Sequence, residues 1–328
     1  MAKYAKISAL SFERIGNPYP EFDPEKLKIM MMNYLKEQFD RVVDEKPDLI
    51  IFPEGCNRPN ELSSQQKKDF LWHCRYEMED MMSSLAKKHK VNIAYGGVRL
   101  EESDKDFPFR NSLVYFDRKG EVAGIYDKCF LVPTEHTISR IGFGKIPEKL
   151  IELDFGSVAS AICFDMHDED LLARYAKLDP DLIVFSSFFK ALGWADMWAL
   201  SCRSYFAASL VLHESGRIIN PFGTLIANTN NTRHATAVIN FDYKVVHNDD
   251  NQDWRTFKFD AARKKYGQNF NWINSNGGGM SIIQSDVPDK SIEDIMEEFD
   301  MMGSTEYFGI TKSLRREYYE KIGFDYEV

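Results

Sequence analysis

Apolar positions along the first half of the chain switch between two periods. Residues 5–12 read as a first strand. Over about 24–45, Leu27, Met30, Met31, Tyr34, Leu35, Phe39 and Val42 recur at three and four residues, which predicts an amphipathic helix with the methionines as core filler. Asp48-Leu-Ile-Ile-Phe-Pro-Glu-Gly is a short apolar run stopped by Pro53 and Gly55. It predicts a buried strand with Glu54 at its carboxyl end. A second helix is expected over 64–89, then a strand over 91–98 closed by Gly96-Gly97. Residues 111–117 and 122–127 flank Arg118-Lys-Gly-Glu and predict a β-hairpin.

Residues 158–163 form another apolar run. A helix over 169–178, a strand over 182–185 and a helix over 194–208 follow. Strands are expected at 209–214, 218–220, 225–228 and 235–241. Strands and helices alternate, so the fold class is α/β with helices covering a sheet. After Asp242 the chain turns polar, with Asn248-Asp-Asp-Asn-Gln-Asp and the stretch 274–279. Two short helices are expected at 291–302 and 312–322, the first capped by Ser291 with Asp294 three residues on. The expected organisation is therefore a domain over 1–243 and an extension over 244–328, packed on the domain or on a partner subunit.

Composition narrows the function classes. The chain has 328 residues, 44% hydrophobic and 28% charged, enough for a sizeable core. The net charge of −10 argues against nucleic acid or an anionic membrane as partner. No apolar run is long enough to span a bilayer. The N-terminal MAKYAKISALSFERIG lacks the apolar core of a signal peptide. Five cysteines, with no C-x-x-C pair, point to a reducing compartment, so a cytoplasmic location is expected. There the sequon Asn230-Asn231-Thr232 is irrelevant. Asn276-Gly-Gly-Gly lacks the Lys-Ser/Thr of a phosphate-binding loop, and no second His accompanies His167 at metal-ligand spacing. No cofactor or metal is expected.

Three reactive side chains end apolar strand-like runs: Glu54, Lys128 after Gly-Ile-Tyr-Asp, and Cys163 after Val-Ala-Ser-Ala-Ile. Sites in open α/β sheets gather beyond the carboxyl ends of strands, where distant residues converge. Their chemistry is complementary. A Glu can accept the thiol proton, and a Lys can stabilise a thiolate and then a tetrahedral oxyanion. Taken singly, each also has a plain reading: a buried packing cysteine, a turn carboxylate and a surface lysine. Cys56 and Cys129 read as packing residues.

The surrounding words resemble the nitrilase superfamily of carbon–nitrogen hydrolases. They are Ile-Phe-Pro-Glu-Gly, then Asn111 through Tyr126-Asp-Lys-Cys-Phe-Leu-Val-Pro, then Ala-Ile-Cys-Phe-Asp, in that order. Asp117-Arg-Lys-Gly-Glu, Arg203, Asn220-Pro-Phe-Gly-Thr-Leu-Ile-Ala and Phe241-Asp-Tyr add to the match, which covers roughly residues 4–243. The resemblance implies a four-layer αββα sandwich whose members pair through outer helices into homodimers or larger homo-oligomers. It implies Glu54 as general base, Lys128 as oxyanion stabiliser and Cys163 as nucleophile. Glu135 matches a second glutamate that orients the lysine or the substrate amide. The Phe164 N–H would be the second oxyanion donor.

The expected activity is thiol-dependent hydrolysis of a small linear amide or N-carbamoyl compound. Acyl transfer to an amine, or a non-catalytic scaffold, remain alternatives. Two departures matter. Many relatives follow the cysteine with Arg and then Pro-Glu, whereas here Phe-Asp-Met-His-Asp-Glu-Asp follows. That loop thus lacks the arginine of a carboxylate clamp, with His167 as a replacement or a packing residue. Asp168, Glu169 and Asp170 read as an acidic first helical turn, or as an attraction for an amine-bearing substrate. Cys-Phe-Asp resembles the amide-cleaving branches more than the nitrile-cleaving ones. Phe188 and Trp194 are expected to wall the pocket or to join the core.

Overall fold

The computed structural model describes residues 4–211, 216–229, 232–252, 257–275, 277 and 279–324. The sequon asparagines, the end of the strand expected at 209–214 and part of the glycine run at 276–279 lie outside the described residues. The chain forms two compact units, Ala5–Ile239 and Asn240–Val328 with Met1–Tyr4.

The larger unit is built on two six-stranded sheets. Its elements begin with β1 (Tyr4–Leu10), α1 (Pro24–Asp40), β2 (Leu49–Ile51), α2 (Ser64–Cys74), α3 (Glu77–His89), β3 (Asn92–Leu100), β4 (Phe109–Phe116) and β5 (Val122–Asp127). They continue with α4 (Pro133–Thr137), β6 (Ile151–Leu153), β7 (Gly156–Ile162), α5 (Glu169–Leu178), β8 (Leu182–Ser187) and α6 (Leu192–Cys202). The last are β9 (Tyr205–Leu210), β10 (Arg217–Ile219), β11 (Leu225–Asn228) and β12 (His234–Asn240). The first sheet runs β12-β1-β2-β3-β4-β5 and the second β11-β10-β9-β8-β7-β6. Each has a parallel centre, β1-β2-β3 or β7-β8-β9; β4 and β5 add to the first antiparallel, and β6, β10 and β11 add to the second antiparallel.

The sheets face each other through small and hydroxylic residues. Ser186 Oγ donates to the Phe52 carbonyl at 3.0 Å, and Ser209 Oγ donates to those of Leu10 and Ile51 at 2.6 and 3.1 Å. Tyr115 and Ser160 hydroxyls lie 2.7 Å apart. On the outer face of the first sheet, Leu27, Met31, Leu35 and Phe39 of α1 pack with Met78 and Met82 of α3 over Ile50, Phe52, Ile93 and Tyr95. On the second, Tyr175 of α5 lies edge-on to Trp198 of α6, both buried. Helices thus cover two stacked sheets, the αββα arrangement.

Several expected boundaries are corrected. The helix at 64–89 is two, α2 and α3, because Arg75 turns to φ +46° and ends the first. Gly96-Gly97 does not close β3 but lies inside it. A Cβ on Gly96 would sit 2.5 Å from the Pro53 carbonyl oxygen and 2.6 Å from Ser186 Oγ, so the glycine lets the strands meet. The helix at 194–208 stops at Cys202, since Arg203 is left-handed at φ +56° and Tyr205-Phe-Ala-Ala pairs with β8 as a strand. The helix at 24–45 ends at Asp40, with a separate turn of 3₁₀ helix at Val43–Glu45.

The smaller unit contains β13 (Tyr243–His247), α7 (Asn248–Asn251), α8 (Lys258–Tyr266), β14 (Phe270–Asn274), β15 (Met280–Ser285), α9 (Ile292–Glu298) and α10 (Ser304–Lys321). Its sheet, β13-β15-β14, was not expected from the polar sequence. It has its own core, with Val246, Phe259, Phe270, Ile283 and Ile295 at the centre. The helices expected at 291–302 and 312–322 are α9 and α10, the latter beginning eight residues earlier than expected. Among the described residues no helix is long and apolar enough to cross a membrane.

Candidate active site

The site is assembled from the carboxyl ends of strands in both sheets. β2 ends at Ile51, and Phe52-Pro53 carry the chain to Glu54, which is 3% exposed. β5 ends at Asp127 and delivers Lys128, which is 1% exposed. Lys128 Nζ lies 3.2 Å from Glu54 Oε1 and 2.8 Å from Glu135 Oε2. Glu135 stands in α4, where Pro133 opens the helix and the Val132 N–H donates to Glu135 Oε2 at 2.9 Å.

Asn111, in β4, binds the two carboxylates together. Its Nδ2 donates to Glu54 Oε1 at 2.8 Å and to Glu135 Oε1 at 3.0 Å. The other oxygen of Glu54 accepts the Phe188 N–H at 3.2 Å. Burial alone would lower the Lys128 pKa, but Glu54 and Glu135 outweigh it and hold the ammonium charged.

Cys163 follows β7 at φ +51°, a left-handed conformation that is costly for a residue with a side chain. It starts a short 3₁₀ turn, Cys163–His167. Asp165 holds that turn. Its buried carboxylate accepts the N–H groups of Ile162 at 2.8 Å, Cys129 at 3.1 Å and Phe130 at 2.7 Å, and the Tyr126 hydroxyl at 2.7 Å. The segment carrying Lys128 and the turn carrying Cys163 are therefore tied through one side chain. Burial raises Asp165 to about 7, and its donors oppose a larger rise.

Burial pushes the Cys163 thiol up to about 12, and Glu54 adds to the rise. Lys128, the Ser187 hydroxyl and the Phe188 N–H act in the opposite direction. The thiol is thus in electrostatic reach of both Glu54 and Lys128 but is not ionised by them at neutral pH. An arrangement with a buried ammonium, two carboxylates and an un-ionised thiol can move a proton and hold an oxyanion.

The other expected residues fall around this centre. Phe164 stacks on Phe130 with centroids 5.4 Å apart. His167 is exposed and packs among Phe164, Phe189 and Trp194 at 5.0, 5.9 and 4.8 Å. Trp194 is 42% exposed. The Phe188 ring lies 4.2 Å from the Arg14 guanidinium. Asp168 caps α5, accepting the N–H groups of Asp170 and Leu171. Cys56 and Cys129 are buried. Sequence reasoning missed Asn111 as a ligand of both carboxylates and Asp165 as the clamp of the turn. It also missed Ser187 and the arginines at 14 and 58. The signal for Asn111 was its place at the head of the hairpin word.

The carbon–nitrogen hydrolase profile matches residues 15–211, well over half of the chain. The chain belongs to the carbon–nitrogen hydrolase family. A probable nitrilase of Schizosaccharomyces pombe is 31% identical over 123 residues, which are 38% of this chain and 43% of that protein. The chain spans about half the length of the curated relatives it matches. Among solved structures, a Saccharomyces cerevisiae member of branch 10 of the nitrilase superfamily superposes with a TM-score of 0.58 at 16% identity, covering 73% of this chain and 90% of that one. An amidase from Nesterenkonia sp. AN1, solved in complex with acrylamide, gives a TM-score of 0.60 at 11% identity, covering 72% and 91%. At these identities the likeness to carbon–nitrogen hydrolase structures concerns the fold.

Proposed function

We propose that this chain hydrolyses a C–N bond of a small linear amide or N-carbamoyl compound through a thioester on Cys163. The observation that carries the reading is the Glu54–Lys128–Glu135 network joined by Asn111, with Glu54 and Lys128 buried, in electrostatic reach of the strained Cys163. A thiol with a pKa near 12 needs its proton removed as it attacks, which assigns Glu54 as the general base.

In this mechanism Sγ bonds to the carbonyl carbon while Glu54 takes the thiol proton. The Lys128 ammonium and the Phe164 N–H stabilise the oxyanion. The C–N bond then breaks, and Glu54 returns its proton to the departing nitrogen. Water, losing a proton to Glu54, attacks the thioester. The carboxylic acid leaves, and the proton on Glu54 goes back to the sulfur. Glu135 keeps Lys128 charged and in place. The family likeness also supports subunits pairing through an outer helix, and α6 leaves Leu192, Met197 and Leu200 exposed.

The test is release of ammonia from a panel of ω-amides, N-carbamoyl amines, N-carbamoyl amino acids, aliphatic amides and nitriles, with Cys163→Ala as blank. Turnover on an amide or N-carbamoyl compound that vanishes in the variant is expected. Turnover that survives Cys163→Ala would remove the nucleophile from the proposal.

A further inference from the structure

Two arginines border the site with guanidinium nitrogens that make no hydrogen bond among the described residues. Arg14 follows β1, and its guanidinium stacks on Phe188, the residue whose N–H contacts Glu54. Arg58 folds back over Gly55, where a Cβ would meet its Nη2 at 2.9 Å and its Nε at 3.1 Å, and its guanidinium feels the charge of Glu54. The Nε atoms of both arginines are buried with no hydrogen-bond acceptor. Glu61, which follows Arg58 in the loop before α2, is exposed and makes no ion pair with either arginine among the described residues.

Lys67 of α2 feels both guanidinium groups. Burial lowers its pKa first, and repulsion from Arg58 and Arg14 adds to the fall. Arg14 is lowered to about 10, by burial and then by Arg58. These are like charges held together against their repulsion. The carboxylates that reach them at longer range, Glu54 and Glu135, are already committed to Lys128. Lys128, Arg58 and Arg14 therefore all draw on Glu54, and Lys67 adds a further positive charge beside the arginines, in a protein that is acidic overall. Next to Arg58 opens a cavity of about 90 Å³, lined also by Lys67, Lys68, Val98, Phe109 and Ile141.

Uncompensated buried guanidinium groups are costly unless an oxyanion completes their hydrogen bonds. We propose that Arg14 and Arg58, with Lys67 at the rim, form an anion subsite, so that the substrate carries a carboxylate or phosphate group in addition to the scissile C–N bond. This deepens the hydrolase reading and rests on it for the location of the scissile bond. It places acid recognition on the loops after β1 and β2 of the first sheet, rather than on the segment after Cys163 in the second. The uncharged amides and amine-bearing compounds would then be poor substrates.

The test uses the full-length Cys163→Ala protein, which binds without turnover. Calorimetry would compare monoamides of linear four- to six-carbon dicarboxylic acids, N-carbamoyl amino acids, ω-phosphono amides, inorganic phosphate, and neutral amides of matched length. Binding of acidic ligands is expected to exceed that of neutral ones. Arg58→Met or Arg14→Met should weaken acid binding about ten- to hundredfold, and Arg58→Lys should restore part of it. The carboxylate and phosphono arms separate the two sources of the oxyanion. Lys67→Gln, on the surface of α2, serves if the arginine variants fail to fold, and a several-fold loss confined to acidic ligands is expected.

In the active protein the ratio of kcat/KM for acidic over neutral amides should fall in the same variants, through KM. Equal binding of acidic and neutral ligands, or a ratio unmoved by all these substitutions, overturns the subsite. Arginine-dependent acid binding with no turnover of any amide would instead sink the hydrolase reading and leave the subsite standing.

Discussion

Asn111 donates from a single amide nitrogen to Glu54 at 2.8 Å, on the same carboxylate oxygen that Lys128 contacts at 3.2 Å. That nitrogen also reaches Glu135 at 3.0 Å. Two carboxylates, Glu54 buried and Glu135 half-buried, are therefore held near each other by one cation and one neutral donor. A neutral amide suits this position because it shares its two hydrogens between the carboxylates without changing the charge.

Replacing that donor tests its part. Asn111→Leu leaves Lys128 as the sole link between Glu54 and Glu135. Charge-assisted hydrogen bonds contribute about 1.5–3 kcal/mol, so kcat/KM on a substrate from the panel should fall by about ten- to hundredfold. Asn111→Asp, which adds a third carboxylate, should also lower the melting temperature. Unchanged kinetics in both variants would reduce Asn111 to a packing residue.

The thiol pKa near 12 has a direct reading in alkylation. The thiolate is the reactive form, so labelling of Cys163 by iodoacetamide should be slow at pH 7 and rise about tenfold per pH unit up to pH 10. Glu54 raises this pKa, whereas Lys128 lowers it. Glu54→Gln should therefore label several-fold faster at pH 8 than the parent protein while losing turnover. Mass spectrometry of the peptide containing Cys163 measures both. A plateau below pH 9 in the parent protein would mean that the thiol is already ionised and that no base acts on it during attack.

Asp165 ties Cys163 to the Lys128 segment, and its loss has two readouts. Asp165→Ala would strand three backbone N–H groups and one hydroxyl, a loss on the order of 3 kcal/mol or more in urea unfolding. The second readout is pH. The folded pKa of about 7 stands above the ordinary 3.8, so between these values the folded protein keeps a proton that the unfolded chain has released. This group's contribution is complete below about pH 4 and is lost as the pH rises through 7. Asp165→Asn should flatten that part of the stability profile. An identical profile in the variant would show that Asp165 does not titrate there.

Much of the larger unit was legible because its elements are written in local periodicity. The three- and four-residue spacing of Leu27, Met31, Leu35 and Phe39 encodes the buried face of α1 wherever that helix packs. Arg75 and Arg203 escaped because left-handed arginines carry no composition signal, unlike a glycine at a helix end. The strands of the smaller unit escaped for a related reason. Phe270–Asn274 and Met280–Ser285 are short and rich in Asn and Ser, and only their pairing reveals the sheet.

The sequence by itself determined the family, the α/β alternation and the placing of Glu54, Lys128 and Cys163 at strand ends. Those features depend on short stretches of chain, where apolar runs and their terminating residues are neighbours. Only the tertiary structure decided the partners of these groups. Asn111 meets Glu54 and Glu135 because β4 lies between β3 and β5, and Gly96 is a glycine because two strand ends cross it. Arg14 and Arg58 are unremarkable in sequence and become a charge cluster once the loops after β1 and β2 lie side by side. Electrostatic energy depends on separation in space and on burial, and neither is encoded in spacing along the chain.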